Sequence, residues 1–217
     1  MARTTNDVPD ATPWVPPPGE RTLESMTEAA RGCKGCGLYR HATQSVMGAG
    51  STHASYLVVG EQPGAQEDQQ GEPFVGPAGQ VLDDALERAA IDPQDVFMTN
   101  AVKHFRFRER GKRRIHQTPN RTQIVACRPW LLAEIEMVQP EVVVLLGASA
   151  GQALLGPSFR VGSSRGRRLR WPGDRLLQGP CPALLATIHP SAVLRGGERR
   201  EELRDGLVAD LRQASRL

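Results

Sequence analysis

Tyr56-Leu57-Val58-Val59-Gly60-Glu61-Gln62-Pro63-Gly64 is the stretch that decides the fold class. An unbroken apolar run closed by glycine, proline and polar residues is the pattern of a strand buried on both faces that ends in a functional loop. Three further runs read as strands: Val96–Asn100, Glu141–Gly147 and Ala183–His189. Helical patterns separate them. Val81, Leu82, Ala85, Leu86 and Ala89 share one face of a helix over Ala78–Ala90, after the turn residues Gly76 and Pro77. Thr118 as N-cap and Pro119 at the first helical position open a second helix towards Val138, with Pro129 expected to bend it. Thr22–Arg31, Ser149–Leu155 and Glu198–Leu217 supply three more. Strands alternating with helices predict an α/β fold, a single three-layer α/β/α domain around a central four-stranded parallel sheet, with ligands at the carboxyl ends of the strands. Such an architecture does not assign a function.

Composition narrows the partners. The chain of 217 residues suits one domain, and its 39% hydrophobic content with 17 prolines and 22 glycines describes a globular protein rich in turns. Residues 1–19 contain Pro9, Pro13, Pro16, Pro17 and Pro18 and no apolar run, and read as a flexible tail ahead of a domain over residues 20–217. No segment is apolar for long enough to cross a membrane, so a soluble, cytoplasmic protein is expected; a monomer is the default expectation, with nothing in the sequence that reads the oligomeric state. The net charge is only +3, yet Lys103, Arg106, Arg108, Arg110, Lys112, Arg113 and Arg114 cluster against the single Glu109. Further basic groups run from Arg160 to Arg175 and from Arg195 to Arg200. These groups suit a polyanion, and equally suit solvated loops.

Cys33-Lys34-Gly35-Cys36 has a spacing that lets two thiolates reach one metal centre. The same spacing serves a redox pair, a zinc half-site or a disulfide. Cys127 and Cys181 bring the total to 4 cysteines, enough for a four-cysteine zinc or [4Fe–4S] site.

Four separated segments carry a resemblance: Gly60-Glu61-Gln62-Pro63-Gly64, Pro73-Phe74-Val75-Gly76-Pro77-Ala78-Gly79, Thr99-Asn100-Ala101-Val102-Lys103 and His189-Pro190-Ser191-Ala192-Val193-Leu194-Arg195. In that order, over about residues 30–215, the chain resembles the uracil-DNA glycosylase superfamily, and more narrowly its iron–sulfur family 4 and the related UdgX group. The resemblance implies recognition of uracil in single- or double-stranded DNA, cleavage of the bond joining base to sugar, and free uracil as product. In family 4 the asparagine strand continues N-x-V-K-C, and that cysteine ligates a [4Fe–4S] cluster. Here His104 stands at its position, and Cys127 in Ala126-Cys127-Arg128-Pro129-Trp130-Leu131 matches the other cysteine of that half. The implied ligands are Cys33, Cys36, His104 and Cys127, with imidazole replacing one thiolate as in Rieske centres. Cys181 falls where the family has no ligand and is expected to be a small buried hydrophobe. In the alternative set Cys181 completes the site and His104 contacts phosphate or a core carbonyl.

The same resemblance distributes roles around a flipped base, whose Watson–Crick edge must be read. Asn100 and Gln62 are implied on the uracil, Phe74 stacks on it, and His189 donates to the oxygen where negative charge collects. Ser191 grips phosphate, while Leu194 or Arg195 wedges into the duplex at the vacated position. Glu61 is the carboxylate that positions an attacking water. Ala65 departs from the pattern, because related groups carry an acid there; Glu67 and Asp68 follow it.

Arg108-Glu109-Arg110-Gly111-Lys112-Arg113-Arg114-Ile115-His116 interrupts the family 4 pattern between His104 and Thr118, and its Lys112-Arg113-Arg114-Ile115-His116 matches the KRRIH loop of the UdgX group in full. In that group the histidine bonds covalently to the abasic sugar. The match implies His116 as nucleophile, oriented by Glu61, with Lys112, Arg113 and Arg114 on DNA. Without the resemblance, the segment is a basic clamp with His116 on phosphate. Three functions follow: a single-turnover covalent glycosylase, a multiple-turnover family 4 glycosylase, and a catalytically silent iron–sulfur DNA-binding protein.

Overall fold

The computed structural model describes residues 10–172, 177 and 180–217. Pro9 of the expected tail and Arg175 of the second basic group lie outside the described residues. In chain order the described residues form α1 (Leu23–Arg31), β1 (Ala49–Gly50), β2 (Tyr56–Gly60), α2 (Ala65–Gln70), α3 (Pro77–Arg88), β3 (Val96–Asn100), β4 (Phe107–Arg110) and β5 (Arg113–His116). They continue with α4 (Arg121–Val138), β6 (Val142–Leu146), α5 (Gly147–Leu155), α6 (Val161–Ser164), β7 (Arg168–Leu169), β8 (Ala183–Thr187), α7 (Pro190–Leu194) and α8 (Arg200–Ala214).

The main sheet has the order β1-β3-β2-β6-β8-β7. Its centre, β3-β2-β6-β8, is the expected parallel sheet. Two antiparallel edge strands of two residues each, β1 and β7, extend it. Alternate side chains feed two cores, as the pleat requires. Leu57, Val59, Phe97, Val143 and Leu145 pack with Met26, Trp130, Leu131 and Ala150 from α1, α4 and α5. Val58, Val96, Val144 and Leu185 pack with Leu82, Leu86, Leu207 and Leu211 from α3 and α8. Helices therefore cover both faces, which is why the strands read as unbroken apolar runs rather than alternating ones.

Element ends shift from the sequence reading for local reasons. Helix α4 starts two residues beyond the expected Thr118–Pro119 opening, because Asn120 and Gln123 exchange reciprocal side-chain to main-chain bonds of 2.9 Å in a capping box. The same helix continues through Pro129. Thr22 caps α1 in the same reciprocal way through Ser25. Asp10–Gly19, read as tail, instead contains short turns at Thr12–Trp14 and from Pro18, and the Ala11 N–H donates to the Ala126 carbonyl on α4 at 2.8 Å. The basic insertion is not a loop: β4 and β5 form a two-stranded antiparallel hairpin pairing Phe107 with His116 and Arg110 with Arg113. Gly111 supplies the positive φ, 60°, that its two-residue turn needs.

No helix among the described residues is long and apolar enough to cross a membrane.

Candidate active site

Strand order reverses between β2 and β6: the chain moves from β2 to β3 on one side and from β6 to β8 on the other. In open α/β sheets that switch point opens a crevice at the carboxyl ends of the strands. A cleft of about 830 Å³ lies there. It gathers Glu61, Gln62, Phe74, Asn100, His116 and His189, with Ser191, Leu194 and Arg195 also on its walls. Residues from five separate segments thus meet.

Glycine shapes the cleft floor. A Cβ on Gly60 would lie 2.3 Å from Asn100 Oδ1 and 2.7 Å from Phe74 Cζ, so only glycine lets the Asn100 amide and the Phe74 ring approach the end of β2. Phe74 holds a left-handed φ of 59°, a conformation that costs a non-glycine residue on the order of 1–3 kcal/mol and recurs at functional sites. Its ring lies 6.4 Å from that of His189, at an interplanar angle of 25°.

His189 is the N-cap of α7, and its Nδ1 accepts the Ser191 N–H at 3.2 Å. The Ser191 hydroxyl lies 2.8 Å from the same nitrogen. An accepting Nδ1 places the ring proton on Nε2, the other ring nitrogen. Burial pushes the His189 pKa down to about 4, and Arg195 and His116 push the same way. The ring is therefore a neutral N–H donor at pH 7. Ser191, expected on phosphate, orients His189.

His116 stands at the end of the hairpin, with its Nε2 3.5 Å from Glu61 Oε1. Burial lowers its pKa from 6.5; Glu61 and Glu67 oppose that shift and Arg195 reinforces it. The imidazole is neutral at pH 7. The second Glu61 oxygen, Oε2, accepts the Ser149 hydroxyl at 2.5 Å. Ser149 carries no sequence signal, yet it bridges the ends of β2 and β6 and fixes the carboxylate facing His116. Glu67 is buried on the cleft wall, and its Oε1 accepts the Gly76 N–H at 2.9 Å. It places a carboxylate beside the site that lacks an acid at Ala65.

Two residues carry contacts beyond their expected roles. Gln62, expected on uracil, uses its amide at the hairpin neck: Nε2 donates to the Arg106 and Gln117 carbonyls at 3.1 and 3.2 Å, and Oε1 accepts the Arg106 N–H at 3.0 Å. Arg114, expected on DNA, pairs with the fully buried Asp68 at 2.5 Å, its guanidinium lying 5.1 Å from the Phe107 ring centroid and 5.6 Å from that of Phe105. It anchors the hairpin against α2, whereas Lys112 and Arg113 at the tip are exposed. A phosphate contact and a buried ion pair fail differently. Lys112→Ala should weaken DNA binding across sequences and reduce the salt slope by about 1. Arg114→Ala should instead lower stability by about 3–5 kcal/mol, because it strands a buried carboxylate; salt-dependent binding and thermal melting separate the two.

Cys33 and Cys127 are buried, Cys36 is half-buried, and none is in a disulfide. Trp130 Nε1–H points at Cys33 Sγ at 3.4 Å and the Lys103 N–H at Cys127 Sγ at 3.2 Å. Burial raises the Cys127 pKa to about 12; Lys103 opposes this, while Cys36 and Cys33 add to it. Burial takes His104 down to about 4 against the pull of Asp68, leaving a neutral imidazole. Among the described residues no three His, Cys, Asp or Glu side chains form a cage sized for one ion. Ligands of a four-iron cluster stand farther apart than those of a single ion, and free thiols with N–H donors on two sulfurs fit such a group chemically. Cys181 is corrected: it is exposed, in a pocket with Ile135 and Gln139. Cys127 lies near the other end of α4, roughly 12 Å or more away at about 1.5 Å per residue.

An α/β domain that converges an asparagine amide, an aromatic ring, a neutral histidine donor and a histidine–carboxylate pair at its switch point has the makings of a base-binding enzyme site. A profile of the Uracil DNA glycosylase superfamily matches residues 47–212, and the chain belongs to that superfamily. It is 36% identical over 195 residues to a type-4 uracil-DNA glycosylase of Pyrobaculum aerophilum, covering 86% of this chain and 91% of the relative. It is 34% identical over 196 residues to the type-4 uracil-DNA glycosylase of Thermotoga maritima, covering 90% and 94%. The Saccharolobus solfataricus type-4 enzyme is 31% identical over 190 residues, covering 84% and 82%.

Proposed function

We propose that the protein excises uracil from DNA and captures the abasic sugar on His116. The observation that carries the covalent reading is the His116 imidazole, set with its Nε2 3.5 Å from a Glu61 carboxylate that Ser149 holds on its far side. The flipped uracil enters against Phe74, with its imide edge on the Asn100 amide. As the bond between sugar C1′ and uracil N1 breaks, its electron pair leaves with the base, and the His189 Nε2–H donates to the uracil oxygen that gathers this charge. The unprotonated nitrogen of His116 then bonds to C1′, and the positive charge passes to the ring beside Glu61. Loss of the ring proton leaves a neutral glycosyl-imidazole, and uracil departs with one proton gained. Proximity favours this attack over dilute water.

A [4Fe–4S] cluster held by Cys33, Cys36, His104 and Cys127 is part of the proposal, supported by three free thiols, two of them buried, and by the buried His104 imidazole. Bound there, it would cross-link the turn after α1, the segment after β3, and α4, and would supply an electron-transfer centre. Protein purified without oxygen should be brown, His104→Ala should lose the visible absorption, and Cys181→Ser should keep it; stoichiometric zinc without iron would reject the assignment.

A conventional multiple-turnover reading is favoured by the type-4 relatives and by Glu61, a carboxylate placed to hold a water. Denaturing gels with uracil-containing oligonucleotide separate the two. A retained protein–DNA band with at most one uracil released per protein is expected; abasic product accumulating beyond the protein concentration without such a band would establish the conventional enzyme.

A further inference from the structure

Lys103 and Glu134 form an ion pair behind the cleft floor that the mechanism above does not use. Both side chains are only 1% exposed, and their separation is 2.5 Å. An ammonium so placed is costly unless its N–H groups are accepted. Nζ finds three acceptors: Glu134 Oε2 at 2.5 Å, Thr99 Oγ1 at 2.6 Å and the Asn100 main-chain oxygen at 2.8 Å. Glu134 closes the network from α4. Its Oε2 accepts the Thr99 hydroxyl at 2.8 Å and its Oε1 accepts the Gly48 N–H at 2.8 Å.

An apolar pair of similar volume would fill this space at lower cost, since buried ion pairs are often neutral or unfavourable against hydrophobic replacements. What the apolar pair would lack is direction. Lys103 binds the carbonyl of Asn100 itself, while Thr99, the preceding residue, is held by both charges. The last peptide of β3 is thereby locked from behind, and the Asn100 side chain projects from it with little latitude, its Oδ1 being close enough to Gly60 to exclude a Cβ there.

We infer that Lys103 and Glu134, acting through Thr99 and the Asn100 carbonyl, are positioning residues that hold the Asn100 carboxamide in the orientation that reads the base. The inference rests on Asn100 contacting uracil, as proposed above. Because a misplacement of about 1 Å can cost on the order of a hundredfold in rate, loss of the lock is expected to show in the excision step itself.

The test separates positioning from stability. Lys103→Met alone leaves Glu134 buried and uncompensated, and should lower both the melting temperature and single-turnover uracil release. Lys103→Met with Glu134→Leu removes both charges, so most of the melting temperature should return while release stays slower by roughly tenfold to a hundredfold. Recovery of release together with stability would overturn the inference, while Asn100→Ala run alongside should remain slow. If Asn100→Ala were as fast as wild type, the uracil contact itself would fall and the inference with it. Thr99→Val provides a second route in case the double variant does not fold, because it keeps the ion pair and removes one link to the peptide. A severalfold slower release with a small melting change is expected; unchanged release would overturn the role of the lock.

Discussion

His116→Ser is expected to abolish the heat- and detergent-stable complex with uracil-containing DNA while leaving uracil release intact. The wild-type ring is held beside Glu61 at the end of a hairpin that Arg114 and Gln62 pin at two points. Such a nucleophile competes with water through effective molarities of about 10⁵ M or more, so the adduct should fall by well over a hundredfold when it is removed. Serine also vacates space next to a carboxylate that Ser149 still orients, and a water entering there should allow more than one uracil per protein. The pH dependence gives an independent check with a definite sign. His116 titrates below the ordinary imidazole value of 6.5, chiefly because of burial, and only its neutral form has a free electron pair. Adduct formation should therefore hold as pH falls to 6.5 and decline below it. A histidine acting as a phosphate contact would behave oppositely, since protonation would strengthen its grip. Unchanged crosslinking by the serine variant, or a sugar mapped by mass spectrometry to a peptide without His116, would overturn the nucleophile while leaving the glycosylase reading in place.

The parallel sheet was legible because burial on both faces leaves apolar runs with nothing polar inside them, and Tyr56–Gly60 and Val96–Asn100 occur as read. The edge strands were not, because two residues carry no period. The hairpin was hidden by its charge: Arg108, Glu109, Arg110, Lys112, Arg113 and Arg114 read as basic loops facing a polyanion or solvent, and the apolar contacts that fix it, Phe105 and Phe107, lie just ahead of that run. For Arg114 the partner within the fold is Asp68, 46 residues away in sequence, so a charge that suggested DNA also anchors the hairpin. Ser149 had no motif at all; its bond to Glu61 spans 88 residues and exists only because β2 and β6 are neighbours in the sheet. Motif spacing thus located the groups at the strand ends, while the groups that aim them come from across the fold.

His189→Ala should slow uracil release by about a hundred- to a thousandfold, the usual loss for one donor to a developing oxyanion. Its neutral state decides how the effect depends on pH. With a pKa near 4, the ring carries no charge from pH 5 upward, and the Ser191 N–H on Nδ1 keeps the remaining proton on Nε2. Release governed by this residue should be flat across neutral pH, whereas a mechanism needing the imidazolium would accelerate as pH fell towards 4. The final yield of adduct is a separate readout. Because His116 remains in place, the alanine variant should reach the same one-to-one complex, only later. Normal uracil release with a reduced adduct yield would move His189 from the leaving base to the capture step, and would require another donor, with the Asn100 amide the nearest candidate, to carry the charge on uracil.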